Sequence, residues 1–361
     1  MATNPDTPAN TNSTHGTEDA PQATTTGPVL LPDAPDVPGL SFRHFRGDAD
    51  YPGILTVNNG SKVADGLEHD LHTLDTIRQV YGSTHNHDPH RDVLIAEVNG
   101  ETVAYVRTFW ERELTGSRVY WHLSFVLPQW REKGIGRALV RWAEGRAREI
   151  EAGGTGEGEA YASTFADGNA HELEKLLADE GYEPVRYSYY METPDLDHIP
   201  DVPMPPGLEI RPALPEHYRA IWDASGEAFR DHWGATETAE EDFATFTTHP
   251  FFQPDLWVVA WDGDEVAGSI FNFINHEYNA LKGRKLGYTE TISVRRPWRR
   301  LGLARALLAR SMQLHKDLGM SQTALGVDTE NPSGALRLYE SMGYQVVAKS
   351  TTYRKALFGG G

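Results

Sequence analysis

The sequence predicts a mixed α+β fold repeated twice in tandem. Three observations carry that expectation. A basic, glycine-bearing turn between a strand and a helix occurs in two copies, the segments around it recur in the same order, and a proline-rich stretch separates the copies. The turns are Arg131-Glu132-Lys133-Gly134-Ile135-Gly136 and Arg299-Arg300-Leu301-Gly302-Leu303-Ala304, each beginning five residues after a valine, Val126 or Val294. A chain of 361 residues is also too long for one ordinary core and suits two domains.

The elements follow in order. Residues 1–36 are rich in Thr, Pro, Ala and Asn without apolar periodicity, so they read as a disordered tail. The first repeat spans 37–195 and the second 207–358, with a Pro-rich linker at 196–206. Each opens on a strand (Gly39-Leu40-Ser41-Phe42-Arg43; Gly207-Leu208-Glu209-Ile210-Arg211) and continues through helical segments. Two strands then meet at a tight turn, Asn99-Gly100 or Asp262-Gly263, the strongest short hairpin signals. The valine-bearing strand, the basic turn and a long helix follow, over Arg137–Ile150 and Arg305–Leu318. A further strand, a short helix ending in Gly181-Tyr182 or Gly343-Tyr344, and a last strand close each repeat. The flexible insertion Gly153 to Gly158 absorbs the difference in spacing, and Gly359-Gly360-Gly361 is expected to be unstructured.

The turn has a chemical meaning. A helix start leaves backbone N–H groups unpaired, pointing one way, at the positive end of the helix dipole, which suits a pyrophosphate. Glycine or alanine at 134, 136, 302 and 304 allows close approach of a ligand, and arginine adds charge-assisted contacts. Neither G-x-x-x-x-G-K-[ST] nor G-x-G-x-x-G is present.

The pattern resembles the acyl-CoA-binding motif of the GNAT superfamily of N-acetyltransferases, [RQ]-x-x-G-x-[GA] after a Val-x-Pro-like strand end, and covers about residues 37 to 358. The resemblance implies two GNAT domains, each a mixed, mostly antiparallel sheet flanked by helices, with acetyl-CoA as cosubstrate. It assigns the cofactor to Ile292, Val294, Arg299, Arg300, Gly302, Ala304 and Asn331, and in the first copy to Val126, Arg131, Gly134 and Gly136. Val294 marks the backbone that meets the acyl carbonyl.

The same resemblance implies the catalytic groups. Asn331-Pro332-Ser333-Gly334-Ala335-Leu336-Arg337-Leu338-Tyr339 matches the family's last-helix signature, with Tyr339 as acid for the leaving sulfur, although Asn331 stands one residue further from it than in many members. Glu290, four residues before Val294, stands where many members carry a carboxylate that holds or deprotonates the amine. Simple alternation puts Glu290 on the face of Ile292 and Val294, and the β-bulge usual in this strand would re-aim it. In the first copy the equivalents are Leu177 and His122, so the N-terminal copy is expected to be catalytically silent and the C-terminal copy catalytic. This arrangement resembles that of the mycothiol synthases.

Composition sets the limits. The excess of 52 acidic over 33 basic residues, net −19, argues against nucleic acid and is compatible with a cationic acceptor. No apolar run approaches a membrane span, no signal peptide opens the chain, and cysteine is absent, which together suggest a cytoplasmic protein without disulfides. His85, His87 and His90 lie in a loop with Asn86 and Pro89 and fit no helical ligand spacing, so no metal site is expected. The expectation is acetyl transfer from acetyl-CoA to the primary amine of a small molecule. Acetylation of a cysteinyl glycoside and acyl-CoA sensing without turnover are the alternatives. The sequence leaves the acceptor and the oligomeric state open.

Overall fold

A computed structural model of the protein describes residues 27–82, 86–154, 158–237, 240–331 and 333–358. The first repeat runs β1 (Leu40–His44), α1 (Tyr51–Ala64), α2 (Leu74–Gly82), α3 (Pro89–Asp92), β2 (Val93–Val98), β3 (Glu101–Arg112), β4 (Arg118–Val126), α4 (Ile135–Ala152), β5 (Ala160–Asp167), α5 (His171–Asp179) and β6 (Glu183–Glu192). The second runs β7 (Glu209–Arg211), α6 (Tyr218–Phe229), α7 (Glu240–Thr247), β8 (Val258–Asp262), β9 (Glu265–Phe273), α8 (His276–Lys282), β10 (Leu286–Val294), α9 (Leu303–Asp317), β11 (Gln322–Asp328), α10 (Ala335–Ser341) and β12 (Gln345–Ala356).

Local chemistry explains the elements. Asn99 and Gly100 take positive φ of 51° and 86°, the left-handed pair a two-residue hairpin turn requires between β2 and β3. The α4 helix buries Ile135, Ala138, Leu139 and Ala143 at helical spacing, and α9 buries Leu303, Ala306, Leu307 and Met312 in the same way. Both helices are preceded by glycine in the left-handed region, Gly134 at φ 84° and Gly302 at φ 85°.

All strands join one 12-stranded sheet, ordered β1-β2-β3-β4-β5-β12-β6-β11-β10-β9-β8-β7. The last strand of each repeat lies against the fifth strand of the other. Ser350–Ala356 of β12 pair antiparallel with residues 161–167 of β5, and residues 188–192 of β6 pair with residues 324–328 of β11. The two repeats therefore share one sheet. The repeats are present in the predicted order, yet each completes the other's sheet and core. Tyr353 and Leu357 are buried with Val140, Leu177 and Tyr182, whereas Met191 is buried with Leu303, Leu307 and Leu325.

Two boundaries also differ from expectation. Residues 27–36, expected within the tail, are placed: Val29 N donates to the Phe42 carbonyl (2.7 Å), and Leu31 packs on the first core. Apolar residues at alternate positions let this segment cover β1, the edge strand. Residues 1–26 and Gly359–Gly361 lie outside the described residues. The linker is packed rather than free, since Leu196 is buried in the second core and Ile199, Val202 and Met204 lie against it.

Candidate active site

The site in the second repeat begins with a break in pairing. Strands β10 and β11 run parallel only over Leu286–Tyr288 against Gln322–Ala324, after which they part. On its other side β10 pairs with β9, but the register shifts between Glu290 and Ser293. Thr291 occupies that bulge with φ at 50°, a costly conformation for a β-branched residue, of order 1–3 kcal/mol. Strain of this kind persists where the surroundings over-determine it, and here it turns Glu290 round. Glu290 lies opposite Phe271, on the face of the Trp257–Phe271 cluster, while Ile292 and Val294 pack on the opposite face with Leu303 and Leu307. Simple alternation along the strand is therefore overturned by the bulge.

Glu290 has no ion pair or hydrogen bond among the described residues. It is half-buried, and desolvation pushes its carboxyl up to about 7. Tyr339, on α10, is 6% exposed and packs in the core with Leu303 and Leu307. Burial raises its phenol first, and the neighbouring Tyr344 and the charge of Glu290 raise it further. Tyr344 lies 6.1 Å from Tyr339 between ring centroids, and its hydroxyl is buried beside Thr289 and Thr323. Sequence reasoning missed Thr291 and Tyr344, the latter quoted only as the end of the helix signature.

Beyond Glu290 the face is aromatic. Phe273 stacks on Tyr288 (4.6 Å, 4°) and on Phe251 (4.5 Å, 10°). The first repeat contributes here as well: His69 stacks on Tyr190 (4.0 Å), and the Tyr288 hydroxyl donates to the His69 carbonyl (3.4 Å).

Behind the gap, the turn into α9 keeps the form expected of an anion cradle. Arg300 has φ 64° and Gly302 φ 85°, and a Cβ on Gly302 would meet nothing within 4 Å. Arg299, expected at the cofactor, is engaged within the protein. Its Nε donates to the Val294 carbonyl (3.0 Å), its Nη1 pairs with Asp231 (2.7 Å), and its Nη2 donates to the Ala228 carbonyl (3.0 Å). These bonds tie the turn to β10 and to the segment after α6. Arg131 does the same in the first repeat, bonding the Val126 carbonyl (3.2 Å) and gripping Asp65 at 2.6 and 2.8 Å. Asp231 and Asp65 were legible in principle, because each lies on the segment after its repeat's first helix. Asn331 is occupied locally, its Oδ1 accepting from Ser333 N (2.9 Å).

The first repeat lacks this arrangement. Strands β3 and β4 pair without a register shift from Ala104↔Val126 to Arg112↔Arg118, so no bulge re-aims a side chain. His122 is buried, held to the Tyr182 hydroxyl (2.8 Å), and desolvation lowers it to about 3. Leu177 is fully buried. The cleft itself persists as a cavity of about 610 Å³ lined in part by Val126, Arg131, Gly134 and Gly136. In the rival histidine cluster, His87 bonds the Thr108 carbonyl (2.8 Å) and His90 approaches the Phe45 carbonyl (3.2 Å). His85 lies outside the described residues.

A parting pair of parallel strands, a bulge beside it and a glycine turn at a helix start define the acetyltransferase class with this sheet. The chain belongs to the acetyltransferase (GNAT) family, which it matches over residues 63–171 and 218–344. Among its relatives are the mycothiol acetyltransferases of Geodermatophilus obscurus, 28% identical over 269 residues (74% of this chain, 82% of the relative), and Salinispora arenicola, 26% identical over 307 residues (84% and 92%). Of solved structures, a GCN5-related N-acetyltransferase from Sphaerobacter thermophilus superposes with a TM-score of 0.70 at 25% identity, covering 92% of this chain and 98% of that one. A tandem GNAT protein from the clavulanic acid biosynthesis pathway shares the fold, with a TM-score of 0.62 at 14% identity over 89% of this chain and 100% of that one. Among the described residues no helix is long and apolar enough to cross a membrane.

Proposed function

We propose that the acetyltransferase chemistry resides in the second repeat and that the acceptor is the primary amine of a small molecule. The observation that carries this reading is the bulge at Thr291, which turns Glu290 away from the face of Ile292 and Val294, at a place where its charge still acts on the Tyr339 phenol. In the reaction Glu290 accepts a proton from the amine, whose nitrogen then attacks the thioester carbonyl. The carbon–sulfur bond breaks as the carbonyl re-forms, and Tyr339 supplies the proton that the departing sulfur takes up. A carboxyl held near 7 suits that exchange, because it is partly ionised at neutral pH and a better base than an ordinary glutamate.

The cofactor contributes the activated acetyl group. Gly302 and Ala304 allow its pyrophosphate to approach the first N–H groups of α9, and the open space over Gly302 fits that role. The backbone near Val294 is the candidate donor to the acyl oxygen, with Ile292 beside it.

The acceptor side is formed by both repeats, from Tyr288 and Phe273 of the second and His69 and Tyr190 of the first. A cysteinyl glycoside of the mycothiol type is the favoured acceptor, since relatives named mycothiol acetyltransferase align along most of their length. The test is acetyl transfer by the intact chain, followed by mass spectrometry, with a cysteinyl glycoside and a panel of primary amines. Acetylated product from any amine supports the class of reaction, and its distribution names the acceptor. Binding of acetyl-CoA without product from any amine would favour a sensor.

A further inference from the structure

The internal repeat allows the two clefts to be compared residue by residue. In the first cleft, Glu132, Arg137 and Lys175 converge on the cavity from the turn, α4 and α5. Their counterparts in the second repeat are Arg300, Arg305 and Arg337. All three are exposed, and none has an ion pair or hydrogen bond among the described residues.

Three arginines in and beside the first cleft are instead ion-paired, and of its cations Lys175 alone has no such partner among the described residues. Arg131 pairs with Asp65 (2.6 Å) and Glu172 (3.2 Å), Arg137 with Asp179 (3.0 Å) and Glu180 (3.2 Å), and Arg141 with Glu180 (2.8 Å) and Asp33 (3.2 Å). At the positions of Glu132, Glu172, Asp179 and Glu180 the second repeat has Arg300, Gly334, Ser341 and Met342. Four carboxylates are thus replaced by one arginine and three uncharged residues. The turns differ sterically too. A Cβ on Gly134 would lie 3.0 Å from Pro35, because the segment before β1 crosses that turn, whereas Gly302 is open.

Coenzyme A carries a pyrophosphate and a phosphate monoester, the latter alone about −1.5 to −2 near neutral pH. Free guanidinium groups bind such oxygens by charge-assisted hydrogen bonds, and a cleft rimmed by carboxylates repels them. We infer that only the second cleft takes the phosphorylated cofactor, and that Arg300, Arg305 and Arg337 select it there. The first cleft keeps the shape of the turn but rejects the ligand by charge. This rests on the reading that the α9 turn is the cofactor site, and it names the residues that make one repeat the cofactor domain. On this inference Val126, Arg131, Gly134 and Gly136, expected to hold the cofactor as well, do not.

Calorimetric titration of the full chain with CoA tests the inference. One equivalent is expected, with affinity falling as salt rises. R300E, R305E and R337E should each weaken binding at least tenfold, and dephospho-CoA should be insensitive to whichever arginine holds the 3′-phosphate. The side chains are exposed, so thermal melts should match wild type and separate lost binding from lost folding. A reciprocal variant, E132R/E172G/D179S, should gain a second equivalent. Two equivalents in the wild type, or one that survives unweakened in R300A/R305A/R337A, would overturn the inference while leaving the proposed reaction intact. No CoA binding by the wild type would overturn both. One equivalent abolished by G134E but kept in G302E would likewise overturn both, because it moves the cofactor to the first repeat.

Discussion

Glu290 on β10 lies close enough to Tyr339 on α10 for its charge to help raise the phenol's pKa, burial being the larger cause. The two residues come from opposite faces of the sheet, beside the place where β10 and β11 stop pairing after Tyr288. A base and an acid on either side of one gap can serve the two ends of an acyl transfer.

The acid is separable from the fold. Tyr339→Phe removes the hydroxyl and keeps the ring in its apolar stripe, so kcat should fall by about 10²–10³-fold with little change in acetyl-CoA affinity. Steady-state kinetics and a binding titration on the same sample check both halves of that statement.

Glu290 should set the acid limb of the pH profile. Its carboxyl is raised from 4.5 to about 7 by desolvation, so kcat/KM should climb through about pH 7 and level off above it. Glu290→Gln should abolish that limb. Stability carries the opposite signature. Between about 4.5 and 7 the unfolded chain releases a proton that the folded chain retains, so this group's contribution falls as pH rises and stays unfavourable above 7. Glu290→Gln should therefore raise Tm at pH 8 and leave it nearly unchanged at pH 4, as read by calorimetry.

The first repeat should not be revived by its missing side chains alone. With the second site disabled by Tyr339→Phe, the double substitution His122→Glu and Leu177→Tyr should yield no added turnover, because β4 pairs with β3 without a bulge. Recovery of substantial activity would show that the bulge is dispensable.

The exchanged strands make the repeats interdependent. Ending the chain at Tyr344 removes β12, and with it the antiparallel partner of β5 and the buried Tyr353 and Leu357 of the first core. Such a fragment should lose cooperative melting in both repeats, and a fragment of residues 27–195 should be insoluble or aggregate through the bare edges of β5 and β6. A soluble, cooperatively melting fragment 27–195 would show that the exchange is not needed for folding.

Much of this was legible from residue order. The two turns, their valines, Asn99-Gly100 and the Gly-Tyr helix ends marked the elements correctly, since each is a local signal with a local cause. The exchange of β6 and β12 was not, because strand pairing between distant segments leaves no periodicity to read. The partners of Arg299 and Arg131 were not legible for a related reason. Sequence places them beside the turn, but their carboxylate partners Asp231 and Asp65 lie just after each repeat's first long helix, about 66–68 residues earlier in the chain. The bulge at Thr291 escaped a direct reading as well, since threonine in a strand gives no hint of a left-handed backbone.

The most direct test is acetyl-CoA-dependent acetylation measured by product mass, with the preferred amine, in wild type, Tyr339→Phe and Gly302→Glu set beside His122→Ala. Full activity in His122→Ala with loss of at least a hundredfold in the two second-repeat variants is the predicted result. Activity lost in His122→Ala while Tyr339→Phe and Gly302→Glu stay near wild type would place the chemistry in the first repeat and contradict it.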